Sequence, residues 1–146
     1  MNKKIVDSVL IVDDDSLEFF IAKKLLESTK CFKSIYSAAN GKEALHLFQN
    51  YEESTQKHPN AFPPSLILLD INMPAMNGFE FLEEYQSFTT AKSELPIPII
   101  IMFTSSDEEI DKNRATKFPI VRDYLVKPLT FEKALKLADI YGTPTE

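Results

Sequence analysis

Apolar residues along this chain follow two rhythms. Short unbroken aliphatic runs are each succeeded by stretches in which apolar residues return every three or four positions. Ser8-Val9-Leu10-Ile11-Val12 is the first run and predicts a strand that stops at Asp13-Asp14-Asp15. Ser16 is placed to cap a helix behind it, and Leu17, Phe20, Ile21 and Leu25 give that helix an apolar face as far as about Thr29. A second, weaker strand covers 32–37, and Ala38-Ala39-Asn40-Gly41 turns the chain. Ala44, Leu45, Phe48 and Tyr51 line one face of a second helix. Leu66-Ile67-Leu68-Leu69 has no polar side, as expected of a strand covered on both faces, and it ends on Asp70. Asn72, Met73 and Pro74 follow as a stiff turn.

Gly78 opens a third helix with Phe79, Leu82 and Tyr85 on one face. The fourth strand, 97–103, ends at Thr104-Ser105-Ser106. Asp107, Glu108 and Glu109 then place acids on the first turn of a fourth helix, where the helix dipole favours them, and Pro119 stops it. The fifth strand, 121–126, delivers Lys127-Pro128, and Phe131, Ala134, Leu135, Ala138 and Tyr141 form the inward face of a fifth helix. Two polar stretches, 53–64 with its three prolines and 89–95, are expected as surface loops. Strand and helix alternate five times, so the expected fold class is α/β, a parallel sheet with helices on both faces.

Composition narrows the partners. The chain has 146 residues, 44% of them hydrophobic, enough for the packed core of one domain. A formal net charge of −6 argues against nucleic acid and against an anionic membrane as partners. Cys31 is the sole cysteine, so no internal disulfide can form, which fits a reducing cytoplasm. No apolar run approaches the roughly 18 residues of a membrane span. Asp7 interrupts the apolar stretch that follows the basic N-terminus, so a signal peptide is not expected. The expectation is a cytoplasmic single domain over 1–146.

The chemistry gathers at the strand ends. Sites in open α/β sheets form at the carboxyl ends of strands. Strand one brings Asp13 and Asp14 there, strand three Asp70, strand four Thr104 and strand five Lys127. Three carboxylates that close cannot all stay ionised without a counter-charge. A hard divalent cation supplies it, and Mg²⁺ is the usual choice where phosphate is handled. Lys127 and the Thr104 hydroxyl suit a phosphoryl group, and Asp70 can attack phosphorus to form an aspartyl phosphate. Each residue alone has a plainer role: Asp13 to Asp15 as helix caps, Thr104 as a capping hydroxyl, Lys127 as a solvated turn lysine. Together they require acid, acid, hydroxyl and lysine at four separate strand ends.

The set Val12-Asp13-Asp14, Leu69-Asp70-Ile71-Asn72-Met73-Pro74, Phe103-Thr104-Ser105 and Tyr124-Leu125-Val126-Lys127-Pro128 resembles the receiver domains of two-component response regulators, the CheY-like family. The likeness spans roughly 8–141. It implies a five-stranded, flavodoxin-like (βα)5 sheet in the order 2-1-3-4-5. It also implies Asp70 as phosphoacceptor, with Asp13, Asp14, Asp70 and the backbone carbonyl of Asn72 as Mg²⁺ ligands. Thr104 and Lys127 would contact the phosphoryl group, Ser105 would leave room for an incoming kinase histidine, Tyr124 would be the switch aromatic, and Lys127-Pro128 would be cis. The implied partners are a histidine kinase or histidine phosphotransfer protein. Downstream, a target protein or a second copy would bind the face of the fourth helix, fifth strand and fifth helix. The chain ends soon after Tyr141, so a stand-alone receiver without an effector domain is expected.

Three departures concern partner surfaces. Asn77-Gly78 stands for the more usual Asp-Gly, and both residues tolerate positive φ. Residues 114–122 lack the family's Gly-Ala pair, and the 53–64 loop is long. Other classes fit less well. A phosphatase of the haloacid dehalogenase type needs an acid two residues after its nucleophile, where this chain has Asn72. A flavin binder needs a glycine- and hydroxyl-rich phosphate loop where Asp13-Asp14-Asp15 stands. A degenerate receiver loses an acid, and none is lost. A receiver that merely stores or relays phosphate, without a target of its own, stays open.

Overall fold

The computed structural model describes residues 3–92 and 94–145. Met1, Asn2, Ser93 and Glu146 lie outside the described residues, and with them the start of the basic N-terminus and one position of the expected 89–95 loop. The elements, in order, are β1 (Lys4–Val12), α1 (Ser16–Thr29), β2 (Phe32–Ala38), α2 (Gly41–Gln49), α3 (Tyr51–Lys57), β3 (Leu66–Leu69), α4 (Gly78–Ala91), β4 (Ile99–Thr104), α5 (Glu109–Ala115), β5 (Val121–Val126), α6 (Phe131–Tyr141) and β6 (Thr143–Pro144). The sheet order is β2-β1-β3-β4-β5, all parallel. The flavodoxin-like order expected above is the observed one. The short β6 adds an antiparallel pairing to β1, through Lys4 with Pro144 and Ile5 with Thr143.

Alternation along the strands divides the core in two. Leu10, Val12, Ile67, Leu69, Ile100 and Met102 face α2 and α4, where Phe48, Phe79, Phe81 and Tyr85 fill the layer. Val9, Ile11, Leu68, Ile101 and Phe103 face α1 and α6, where Ala22, Leu26, Ala134, Leu137 and Ala138 pack. Leu66 to Leu69 are all buried, so the run without a polar side is covered on both faces.

Several local expectations are corrected. The 53–64 stretch is no plain loop. It begins inside α3, which Asn50 separates from α2, so Tyr51 opens α3 instead of ending α2. The segment returns with Phe62 buried against Phe48 and Tyr51, and the Tyr36 hydroxyl donates to the Ala61 carbonyl at 3.0 Å. α4 continues to Ala91, through the first part of the expected second loop. α1 is capped by Asp15, not Ser16: the Asp15 carboxylate accepts from the N–H groups of Leu17 and Glu18. α5 ends at Ala115, four residues before Pro119, after starting at Glu109.

Two helix faces are rotated from expectation. On α1 the sheet side is Phe19, Ala22, Leu26 and Thr29, while Leu17, Phe20 and Ile21 are exposed at 64%, 54% and 49%. On α6, Leu137 is buried, and Phe131 and Leu135 are exposed. Among the described residues, no helix is long and apolar enough to cross a membrane.

Candidate functional site

The site residues are fixed first by their backbones, each through one further hydrogen bond past a strand end. The Asp13 N–H donates to the Ala38 carbonyl at the end of β2 (3.1 Å), the Asp70 N–H to Val12 at the end of β1 (3.0 Å), and the Lys127 N–H to Thr104 at the end of β4 (2.8 Å). Parallel pairing therefore sets these ends side by side on one rim. Carboxylate oxygens of Asp13, Asp14 and Asp70 all lie within 4.8 Å of one another. Asp13 and Asp70 are buried and Asp14 is exposed. The Lys127 ammonium bridges the two buried acids, at 2.6 Å from Asp13 Oδ2 and 3.3 Å from Asp70 Oδ2. The other oxygens are satisfied by backbone: Asp13 Oδ1 accepts from the Asp15 N–H and Asp70 Oδ1 from the Ile71 N–H. An open cleft of about 430 Å³ leads to this group, with Glu18, Asn72 and Ser105 on its walls.

Burial raises the Asp70 carboxyl above its ordinary value. The Lys127 ammonium and the Thr104 hydroxyl act against that rise, the Asp13 charge adds to it, and the Ile71 N–H opposes it. Burial works to lower Lys127, but the hydrogen bond to Asp13 and the charges of Asp70 and Asp13 outweigh it, and its ammonium is held above the ordinary value. Removing either partner leaves a buried charge uncompensated, which costs about 3–5 kcal/mol. The acids fit a hard cation by number, charge and oxygen chemistry.

The loop from Asp70 to Gly78 is set by close approach. A Cβ on Gly78 would lie 2.3 Å from the Asp70 carbonyl oxygen, and the Gly78 N–H donates to the Ile71 carbonyl at 2.9 Å. Positive φ, anticipated for Asn77-Gly78, falls instead on Ala75, at 70°. Asn77 adopts extended backbone and caps α4 in a capping box with Glu80.

Thr104 is wholly buried at the end of β4. Its hydroxyl accepts weakly from the Ser106 N–H at 3.4 Å, and the Tyr124 hydroxyl donates to the Ser106 carbonyl at 2.7 Å. The structure thus brings Asp13, Asp14, Asp70, Lys127 and Thr104 together, with Asn72 on the cleft wall, and keeps Tyr124 one strand away, reached through Ser106. The Lys127-Pro128 bond is cis. The sequence reading passed over Ser106, whose hydroxyl also donates to Asp111 at 2.6 Å. Its place two residues after the strand-end hydroxyl is the one signal that could have raised it.

The family model described as Response regulator receiver domain matches residues 9–139. The chain belongs to this family of receiver domains. It is 33% identical over 128 residues to Protein PilH of Pseudomonas aeruginosa, covering 88% of this chain and 91% of that protein. It is 29% identical over 143 residues to Two-component response regulator ORR1 of Oryza sativa subsp. japonica, spanning 97% of this chain but 58% of that protein. It spans only 30% of a protein-glutamate methylesterase/protein-glutamine glutaminase of Treponema denticola. Among solved structures, a two component response regulator from Cytophaga hutchinsonii superposes with TM-score 0.78 at 27% identity, over 94% of this chain and 98% of that one. A CheX-CheY-BeF3-Mg+2 complex from Borrelia burgdorferi contains a similar chain, with TM-score 0.65 at 28% identity, covering 90% and 86%.

Proposed function

We propose that this receiver domain accepts a phosphoryl group on Asp70 and passes the signal on through a protein surface. The observation that carries the reading is the Lys127 ammonium held between Asp13 and Asp70 in a triad of acids on the sheet rim. In the step, Asp70 Oδ attacks phosphorus, an acyl phosphate bond forms, and the bond from phosphorus to the donor's imidazole nitrogen breaks. Lys127 and the Thr104 hydroxyl contact phosphoryl oxygens, one by charge and the other as donor. Asp13, Asp14, Asp70 and the Asn72 carbonyl would hold Mg²⁺, which neutralises the acids and the phosphoryl charge when bound. The Borrelia burgdorferi complex, in which a similar chain occurs with both Mg²⁺ and a beryllofluoride, supports this assignment. The protein acts on itself, with no separate substrate, in the cytoplasm.

The phosphodonor is a protein carrying phosphohistidine, a histidine kinase or a phosphotransfer protein. Leu17, Phe20 and Ile21, exposed on the first two turns of α1 behind the acidic loop, offer it an apolar docking strip. The signal leaves through α5, β5 and α6, toward a target protein or a second copy. A shallow groove of about 260 Å³ lies on that face, lined by Lys112, Ala115, Val121, Arg122 and Tyr124. Phosphorylation draws Thr104 toward the new oxygens, and the Ser106 link carries the shift to Tyr124.

Incubation with acetyl phosphate and Mg²⁺, followed by intact-mass measurement, tests the acceptor. The wild type gains one phosphoryl group and Asp70→Asn gains none; equal uptake by the variant removes Asp70 from the reading. Amide NMR with beryllofluoride tests the output. Shifts at 109–114 and at Tyr124 are expected, whereas shifts confined to the acidic loops indicate storage or relay of phosphate.

A further inference from the structure

Lys133 occupies an unusual place. Thr130 caps α6, accepting from the Lys133 N–H at 3.2 Å, so Lys133 is the third residue of the helix. A cation in the first turn opposes the helix dipole, and a Glu or Gln here would complete a capping box. The Lys133 ammonium instead turns back off the helix. It donates to the Val126 carbonyl at 2.9 Å and to the Pro128 carbonyl at 3.1 Å. These two carbonyls flank Lys127 on either side. The backbone N–H of Lys127 is itself held by Thr104 at 2.8 Å. Two of these bonds, to the Val126 carbonyl and from the Lys127 N–H, hold the peptide that precedes Lys127, and the third holds the peptide that follows Pro128, so the Lys127-Pro128 step is pinned at both ends, twice by one charged side chain.

We propose that Lys133 is a positioning residue for phosphoryl transfer, acting through Lys127. This rests on the phosphoacceptor reading above. The Lys127 side chain must span from the β5 rim to both Asp13 and Asp70, and its reach depends on where its backbone is held. A charge-assisted clamp on both flanking carbonyls limits that backbone to one orientation. Releasing it lets the ammonium wander from the place where phosphoryl charge develops, and small displacements of that kind slow catalysis steeply. The helix cap is a separate device, since Thr130 supplies it alone.

The test measures phosphorylation by acetyl phosphate with Mg²⁺ in six proteins: wild type, Lys133→Gln, Lys133→Arg, Thr130→Ala, Lys127→Met and the double variant that joins Lys127→Met to Lys133→Gln. Lys133→Gln is expected to slow the rate about tenfold while leaving Mg²⁺ affinity unchanged. Lys133→Arg, which keeps charge and donors, recovers most of the rate. Thr130→Ala lowers the melting temperature but leaves the rate near wild type. The deciding reading is a double variant: adding Lys133→Gln to Lys127→Met has no further effect if Lys133 acts through Lys127. A Lys133→Gln rate within about twofold of wild type, or an equal further loss in the Lys127→Met background, overturns the proposal. If the Gln variant does not fold, Lys133→Met, which keeps the aliphatic stem, is read in its place. Failure of both to fold makes the clamp a folding element and ends the proposal. A wild type that gains no phosphate rejects the acceptor reading itself, which is a distinct outcome.

Discussion

The two faces of the sheet are built from different material. On the α2 and α4 side, large aromatic residues are inside: Phe48, Phe79, Phe81 and Tyr85 are almost wholly buried. Phe81 stacks on Tyr85 with ring centroids 5.4 Å apart, and Tyr85 meets Phe48 edge-on at 4.9 Å. On the α1 and α6 side, three alanines, Ala22, Ala134 and Ala138, are inside together with Leu26 and Leu137, and Leu17, Phe20, Ile21, Phe131 and Leu135 are exposed. Small residues at the contact let α1 and α6 lie close to the sheet and to each other. The first face keeps its apolar surface for stability. The second face leaves much of its large apolar surface outside.

The largest effect that sharpens this contrast is a matched pair. Phe81→Ala should cost about 3–5 kcal/mol in chemical denaturation, while Phe20→Ala should stay within about 0.5 kcal/mol. Similar losses for both would erase the distinction. Next in size is Gly78→Ala, where the aromatic layer joins the site. Its Cβ would meet the Asp70 carbonyl, so a loss of about 2 kcal/mol and slower acetyl phosphate uptake are expected together. Unchanged stability would show that the 70–78 loop can yield.

A smaller effect separates the faces by function. Phe20→Ala should leave uptake from acetyl phosphate unchanged and slow transfer from a phosphohistidine protein about tenfold, or about 1.4 kcal/mol. Equal slowing with both donors would remove the docking role from α1. The smallest concerns Ala75, whose φ of 70° strains a residue with a Cβ. Ala75→Asn should raise stability by about 0.5 kcal/mol, because Asn tolerates that region. A loss measured by the same denaturation would mean that the Ala75 methyl has packing of its own.

The strands were the most legible part. Leu66 to Leu69 read as a strand covered twice, and the residues at the ends of four of the strands carried the site chemistry. The helix faces were less legible. α1 carries two apolar stripes, and the spacing of Leu17, Phe20, Ile21 and Leu25 favoured the larger side chains. Packing chose Phe19, Ala22, Leu26 and Thr29, the line that meets the cluster shared with β1, β3 and α6. α3 was hidden because Glu52, Glu53, Ser54, Thr55 and Gln56 have no apolar face, and three prolines follow. The structure holds α3 partly through the buried Ser54 hydroxyl, which donates to the Leu47 carbonyl at 2.6 Å. No one-dimensional pattern records such a bond.

The sequence by itself determined the alternation of strands and helices, and with it that Asp13, Asp14, Asp70, Thr104 and Lys127 end on one rim. Local pattern suffices there because parallel strands joined by right-handed crossovers must point the same way. Only the tertiary structure decided the distances within that rim and the Ser106 link to Tyr124. The same holds for the return of Lys133 onto the carbonyls beside Lys127, and for which apolar stripe of α1 stays in water. Those outcomes depend on contacts between residues far apart in the chain, where side-chain volume and the nearest unpaired donor or acceptor choose among arrangements that the sequence pattern leaves equal.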